Sequence, residues 1–304
     1  MIPNFPDFKK IEFSDKQEVE KFTKGFPPYS DYDFVSMYSW DISGNMRLSQ
    51  LNGNLVVQFA DYITGKPFLS FIGKNKPDET VQALLDSFVK MNMEPILKFI
   101  PEETALLLNC KKFLIVEDRN GFDYIYNTSE HRSFSGGNYA RKRNEVSSIL
   151  KSHPKINALS IDVYDPLMHK TMLALYKQWA DSKLADHKAF ERHEEKAFNR
   201  LLHLAANRQE DHLLGLGVFH DSELLAFCIY ELTDSEYAVG HTAKSNVAIK
   251  GTNAFLMKSL SDSLFSLGKA YFNYEQDLGL DNLRIAKERY RPTFFLKKYI
   301  VTAL

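Results

Sequence analysis

Leu213-Leu-Gly-Leu-Gly-Val-Phe219, Glu223-Leu-Leu-Ala-Phe-Cys-Ile-Tyr-Glu-Leu232 and Glu236-Tyr-Ala-Val-Gly-His241 follow one another closely and read as a β-meander. Downstream, Gly251 to Leu267 reads as an amphipathic helix, Ala270 to Asp277 as a strand, Asp281 to Arg289 as a helix and Phe294 to Val301 as a last strand.

The first half carries the same order. Strand-like runs between Met46 and Gly73, Asn54 to Ala60 and Pro67 to Ile72 among them, are punctuated by Gly53, Gly65 and Pro67. A helix opens at Asp78 with Val81, Leu84, Leu85 and Phe88 at i, i+3, i+4 and i+7. The strand Pro95 to Ile100, a short helix from Glu102 to Leu108 and a strand pair at Phe113 to Val116 and Phe122 to Tyr126 complete it. Two copies of β-β-α-β-α-β imply a duplication, although no residue-by-residue repeat accompanies it. Helices at Tyr139 to Lys151, Pro166 to Ala180 and Phe190 to Ala206 lie between the meanders, and the boundary is expected near residue 155. The expected class is α+β, with a mixed, mostly antiparallel sheet flanked by helices in each of two domains, 1–155 and 156–304.

With 304 residues and 44% hydrophobic content the chain has material for two cores. Lys and Arg number 38 against 39 Asp and Glu, a net charge of −1, so no global field draws DNA, and contact with RNA or phospholipid requires a local basic patch. Cys110 and Cys228 stand far apart, which argues against a disulfide scaffold or a structural zinc and favours a reducing compartment. The first ten residues lack the pattern of a secretory leader, and no apolar run approaches the ~20 residues of a membrane span, so a cytoplasmic protein without membrane insertion is expected.

The string Asn273-Tyr-Glu-Gln-Asp-Leu-Gly-Leu-Asp-Asn-Leu-Arg-Ile-Ala-Lys287, continued by Tyr290, Pro292 and Lys298-Tyr299, resembles the C-terminal domain family of phosphatidylglycerol lysyltransferase. Tyr139-Ala-Arg-Lys-Arg-Asn144 after Ser135-Gly-Gly137, and Tyr38-Ser-Trp40, add to the resemblance. It implies a tandem GNAT-type fold and kinship with enzymes that move an aminoacyl group from charged tRNA to a lipid, and with Fem-type aminoacyltransferases. Two departures stand out. The membrane-embedded part of the lysyltransferases has no counterpart in these residues, and Gly240-His-Thr-Ala243 stands where a Glu-Lys-type pair is expected.

In a strand from Ala270 to Asp277, alternation places Glu275 and Asp277 on one face, where two carboxylates can divide into a general base and an ionised partner. They serve equally well as partners for arginine or as a cap for the next helix. Arg284, Lys287 and Arg291, three and four apart, form a cationic stripe suited to a phosphate or carboxylate, or a solvated helix face. Arg143 occupies the gap in the apolar line Tyr139, Val146, Leu150, and a buried guanidinium there needs a partner such as Glu275 or Asp277. Ser135-Gly-Gly-Asn138 is a candidate anion cradle with Arg141 and Lys142 beside it.

GNAT enzymes that use acyl-CoA carry a Gln/Arg-x-x-Gly-x-Gly/Ala phosphate loop. Only Gly251 of that pattern survives in Ser245 to Thr252, which disfavours CoA; Lys250 is a remaining phosphate contact and His241 a candidate base. His187 and His193 fall on different helix faces and no His-Glu-x-x-His occurs, so no metal site is expected. Neither a nucleophile elbow nor a Walker loop is present.

The sequence thus points to an aminoacyl- or acyltransferase working in a cleft between the two domains. Aminoacyl-tRNA or acyl-CoA is the candidate donor, and a small molecule or lipid head group bearing an amine or hydroxyl the acceptor. The competing reading is a non-catalytic module on a degenerate GNAT fold that binds a small ligand or peptide.

Overall fold

The fold is that of a computed structural model, which describes residues 1–182, 188–207 and 213–304. A first copy runs β1 (Lys9–Lys10), α1 (Lys16–Thr23), α2 (Phe34–Trp40), β2 (Arg47–Leu51), β3 (Asn54–Ala60), β4 (Pro67–Ile72), α3 (Pro77–Met91), β5 (Leu97–Pro101), α4 (Glu102–Ala105), β6 (Phe113–Glu117) and β7 (Asp123–Asn127). After α5 (Thr128–His131) and α6 (Ala140–Ser152), a second runs β8 (Ile156–Ile161), α7 (Pro166–Asp181), α8 (Lys188–Ala206), β9 (Leu213–His220), β10 (Glu223–Leu232), β11 (Tyr237–Ser245), α9 (Thr252–Ser266), β12 (Tyr271–Asn273), α10 (Asp281–Glu288), β13 (Phe294–Leu296) and β14 (Lys298–Ala303). Element by element the second copy repeats the first, and the expected α+β class with two mixed sheets is present.

The sheets interlock. Strand order is β1-β2-β3-β4-β5-β14-β6 in the first and β13-β7-β12-β11-β10-β9-β8 in the second. Each copy therefore sends its final strand into the sheet of the other: β14 fills the gap between β5 and β6, and β7 the gap between β12 and β13. The expected pairing of the strands at Phe113 and Phe122 is thus corrected, because β6 and β7 belong to different sheets. The run Phe294 to Val301, expected as one strand, divides at Lys297 into β13 and β14, again one for each sheet. The second run of elements begins with β8 at Ile156, and both hydrogen-bonded sheets draw strands from each side of that point.

Pairing is antiparallel except at one place in each sheet, β4 with β5 and β11 with β12. Both faces of the second sheet are covered, and β10 shows how: Phe227 and Ile229 pack toward α7 and α8, while Cys228 and Tyr230 pack toward α9. In the first sheet, Val81, Leu84, Leu85 and Phe88 of α3 press on Val56, Phe71 and Leu97 as their helical spacing predicts.

A buried ion cluster lies where the exchanged strands begin. Lys298, first residue of β14, has a side chain with 0% exposure, and its Nζ donates to Asp123 Oδ1 at 2.7 Å, to Gln276 Oε1 at 3.1 Å and to Asp31. Asp123 is the first residue of β7 and also accepts from the Ser30 N–H and hydroxyl. Burial alone pulls a lysine toward neutrality, but Asp123 and Asp31 outweigh it and hold the Lys298 pKa above its ordinary value.

Removing one partner of a buried pair leaves an uncompensated charge. Lys298→Met is expected to cost about 3–5 kcal/mol, seen by calorimetry as a melting temperature lower by roughly 6–20 °C. The adjacent Lys297, which pairs with Glu117 in solvent, is the control: Lys297→Met leaves the melting temperature unchanged.

Candidate active site

β11 and β12 run parallel only as far as Val239 opposite Asn273. Beyond that register β11 continues to Ser245 while the other chain turns away, and a cavity of about 110 Å³ fills the wedge. Gly240 sits at the parting because a Cβ there would lie 2.5 Å from the Phe272 ring. The walls come from Gly240 to Lys244, from Tyr274, Glu275 and Gln276, from Leu283 and Lys287 of α10, from Ser36 and Trp40 of α2, and from Tyr62 and Glu194.

The β12 strand ends at Asn273, which corrects the expectation that Glu275 and Asp277 share a strand face. Glu275 takes a left-handed backbone conformation, φ 55°, uncommon for a residue with a Cβ and of the kind that collects at functional sites. Its neighbours are tied down. Asn273 accepts from the Glu275 N–H at 2.8 Å and donates to Pro28 O and Asp123, and Gln276 bridges Asp31 and Lys298.

Asp277, fully buried, points away from the cavity. Arg284 contacts it through Nε at 2.8 Å and Nη2 at 2.9 Å, the Tyr124 hydroxyl donates at 2.6 Å and Arg119 at 3.2 Å. Burial opposes its ionisation, but Arg284, Tyr124 and the Gly279 N–H outweigh burial and hold the carboxyl below its ordinary range. Of the two alternatives left by the sequence, the arginine-partner role describes its surroundings.

Glu275 is the opposite case. Its nearest donor is the Ser36 hydroxyl, 3.3 Å from Oε1. Burial pushes the carboxyl up to about 8; Lys287 works against the shift, and Asp123, Asp31 and Asp33 add to it. Lys287, buried in the same wall, donates to Tyr274 O and is drawn down to about 8 by burial, with Glu275 opposing. The cationic stripe is thereby dispersed: Lys287 lines the cavity, Arg284 clamps Asp277, and Arg291 reaches Asn138 O at 3.4 Å.

His241 enters the cavity from β11 with 2% side-chain exposure. Nδ1 lies 3.2 Å from Ser36 Oγ, Nε2 lies 3.7 Å from Glu231 Oε1, and burial lowers its pKa although Asp33 opposes this. The Glu231 carboxyl hydrogen-bonds Asp33, and burial with that neighbour raises Glu231 well above the ordinary value. Glu194 accepts from Lys244 at 2.6 Å through Oε1. Glu194 Oε2, His241 Nε2 and Thr242 Oγ1 are buried without a hydrogen-bond partner among the described residues, and all three residues line the cavity.

The remaining expected residues lie elsewhere. Arg143 is exposed, and its Nη1 donates to the carbonyls of Phe134 and Gly136 at 2.5 and 2.6 Å, so its expected pairing with Glu275 or Asp277 is corrected. The buried line of α6 instead runs through Val146 and Ile149, with Lys142 laid over the Tyr290 ring at 4.0 Å. The Ser135-Gly-Gly turn therefore presents carbonyls to a cation. Arg141 is exposed and pairs with Glu145, and Lys250 is exposed in the turn before α9. Gly251 has φ 93°, and a Cβ on it would meet Glu145 O at 2.5 Å, so its glycine answers to close packing against α6. Of the two histidines weighed for a metal, His187 lies outside the described residues and His193 bonds Tyr62 O.

Ser36, Asp33, Glu231, Glu194 and Lys244 did not figure among the sequence candidates. Asp33 caps α2 through the Ser36 N–H at 2.9 Å, and Tyr38-Ser-Trp40 stands just after it; that cap is the one local signal. Among the described residues no helix is long and apolar enough to cross a membrane.

A protein of unknown function from Bacteroides thetaiotaomicron VPI-5482 has a similar structure at TM-score 0.82 and 23% identity, with 100% of each chain covered. L-PGS from Bacillus licheniformis follows at TM-score 0.60 and 16% identity, covering 99% of this chain and 93% of that one. FemX gives 0.56 and 10%, over 97% and 96%. At these identities the likenesses establish the fold alone. No curated protein matches by sequence. The family model for phosphatidylglycerol lysyltransferase, C-terminal, matches residues 24–302, and the chain belongs to that family.

Proposed function

We propose that this chain is an acyltransferase, with aminoacyl transfer its form, and that it works in the wedge between β11 and β12 where the halves 1–155 and 156–304 meet. The observation that carries the reading is Glu275, a buried carboxyl raised to about 8 in a cavity wall, on a loop whose next two side chains, Gln276 and Asp277, are anchored. A base with a pKa near the working pH is what deprotonating an attacking amine or hydroxyl requires. Lys287 beside it orients or stabilises negative charge as the acyl group is attacked. Family membership supports transfer from an aminoacyl donor to a lipid head group or other small acceptor.

Between the two candidate donors, aminoacyl-tRNA is favoured over acyl-CoA. The loop before α9 has one glycine, and α6 accounts for it; a second glycine for close approach to a pyrophosphate is missing. The unpartnered Glu194 Oε2 and Thr242 Oγ1 favour a polar ligand at the same place, and they equally suit the competing reading of a small-ligand or peptide module. Turnover separates the two.

Incubation with charged tRNAs and candidate acceptors, phosphatidylglycerol vesicles included, is expected to give transfer that Glu275→Gln reduces about 10²–10⁴-fold. Undiminished transfer in that variant removes Glu275 as the base, and ligand binding without transfer favours the module. Because the ionised carboxylate is the active form, the wild-type rate is expected to climb as pH rises through about 8, a limb the variant lacks.

The same group affects stability with a definite sign. The folded-state value lies above the ordinary 4.5, so the stability Glu275 contributes is complete below 4.5 and is lost as pH rises through about 8. Glu275→Gln removes that loss. Its melting temperature is expected to exceed that of the wild type at pH 9, by about 2–4 °C for each kcal/mol regained, with the gap closing toward pH 5.

A further inference from the structure

Beyond Ser36, on the α2 side of the cavity, Asp33, Glu231 and His241 each offer one ligand atom, and these atoms lie within 4.8 Å of one another. They come from the cap of α2, from β10 and from β11, three segments that the fold brings together. Two carboxylates near a histidine are not by themselves a metal site. The second observation is the buried, unpartnered Nε2 of the imidazole.

The Ser36 hydroxyl lies 3.2 Å from His241 Nδ1 and 3.3 Å from Glu275 Oε1, so Ser36 occupies the Nδ1 side of the imidazole. Nε2 is buried without a hydrogen-bond partner among the described residues and lies 3.7 Å from Glu231 Oε1, too far for a hydrogen bond. A cation placed between the two atoms gives both a partner. A ligating histidine ordinarily fixes its other ring nitrogen on an oxygen, as His241 does on Ser36.

The charges that face the cluster are known. Lys16 brings one positive charge toward Asp33, Glu231 and His241, and Glu20 a further negative one toward Glu231. Ligand atoms sharing one tetrahedral ion at about 2.0–2.2 Å stand about 3.3–3.6 Å apart, close to the 3.7 Å between Nε2 and Glu231 Oε1, and the widest spacing in the cluster needs a contraction of up to about 1.5 Å.

We propose that Asp33, Glu231 and the Nε2 of His241 bind one divalent first-row transition-metal ion, Zn²⁺ or Mn²⁺ being the best match to one imidazole and two carboxylates. Three protein ligands leave at least one coordination position open, the pattern of a reactive rather than a structural ion. With His241 in the cavity wall, the ion stands beside the space assigned above to the acyl group.

The test uses the full tag-free chain, dialysed against EDTA and titrated with Co²⁺, whose visible absorption reports coordination, with Zn²⁺ as competitor. The expected result is a spectrum that saturates at one equivalent and is abolished by Zn²⁺. His241→Ala loses it, Ser36→Ala weakens binding about 10–100-fold by freeing the ring, and Glu275→Gln retains it. Far-UV circular dichroism of each variant checks folding, and the wild-type titration stands whether or not a variant folds. No cobalt spectrum in the wild type, or equal affinity in a folded His241→Ala, overturns the proposal. Because the readout is metal alone, its failure leaves the transferase reading in place, and failure of transfer leaves the metal site in place.

Discussion

Lys298 is the charge on which the arrangement turns. It lies sealed at the point where the two copies trade their final strands, and its partners Asp123 and Asp31 are sealed with it. An isolated ammonium at such depth costs several kcal/mol; three groups together satisfy one another, and the geometry that satisfies them is narrow. The start of β14, the start of β7 and the Ser30-Asp31 segment can therefore meet in one way only. Gln276 bonds to both Lys298 and Asp31, so the same cluster fixes the loop that carries Glu275. The anchor and the reactive candidate are consecutive residues.

Two carboxylates two residues apart illustrate how far surroundings govern chemistry. Asp277 has a bidentate guanidinium, a phenol and a backbone N–H, and stays ionised. Glu275 has a single long contact from a hydroxyl and a set of neighbouring acids, and holds its proton into the neutral range. The turn at φ 55° points the two side chains to opposite sides of the loop, one toward permanent charge and the other toward the cavity.

Much of the architecture was legible in the sequence because periodicity reports which residues are buried. The meanders, α3, α9 and α10 fall within a few residues of where the patterns put them. Periodicity does not report which sheet a strand joins. β6 and β7 read as neighbours and part company, because either sheet offers the same apolar slot. Glu275 lies in the cavity wall although the premise that singled it out fails: alternation presumes extended backbone, and the left-handed residue that ends it leaves no mark in the composition. Arg143 misled for a related reason. A gap in an apolar line can be filled by the aliphatic stem of a neighbour, and Lys142 fills this one against Tyr290. Ser36 stands 195 residues before Glu231 and 205 before His241 in the chain, and no local motif joins the three.

The exchange of final strands bears on how the polypeptide reaches this state. As the chain leaves the ribosome, β5 and β6 emerge with a vacant slot between them, and its occupant, β14, is made almost 200 residues later. Until then the first sheet keeps two unsatisfied edges, a condition that invites wrong pairing and slows assembly. The second sheet has no such delay, since β7 is already waiting when β12 and β13 appear. Once β14 has threaded home neither half can detach without breaking the other, so the nascent chain trades an exposed interval during synthesis for a finished molecule that is latched at both ends.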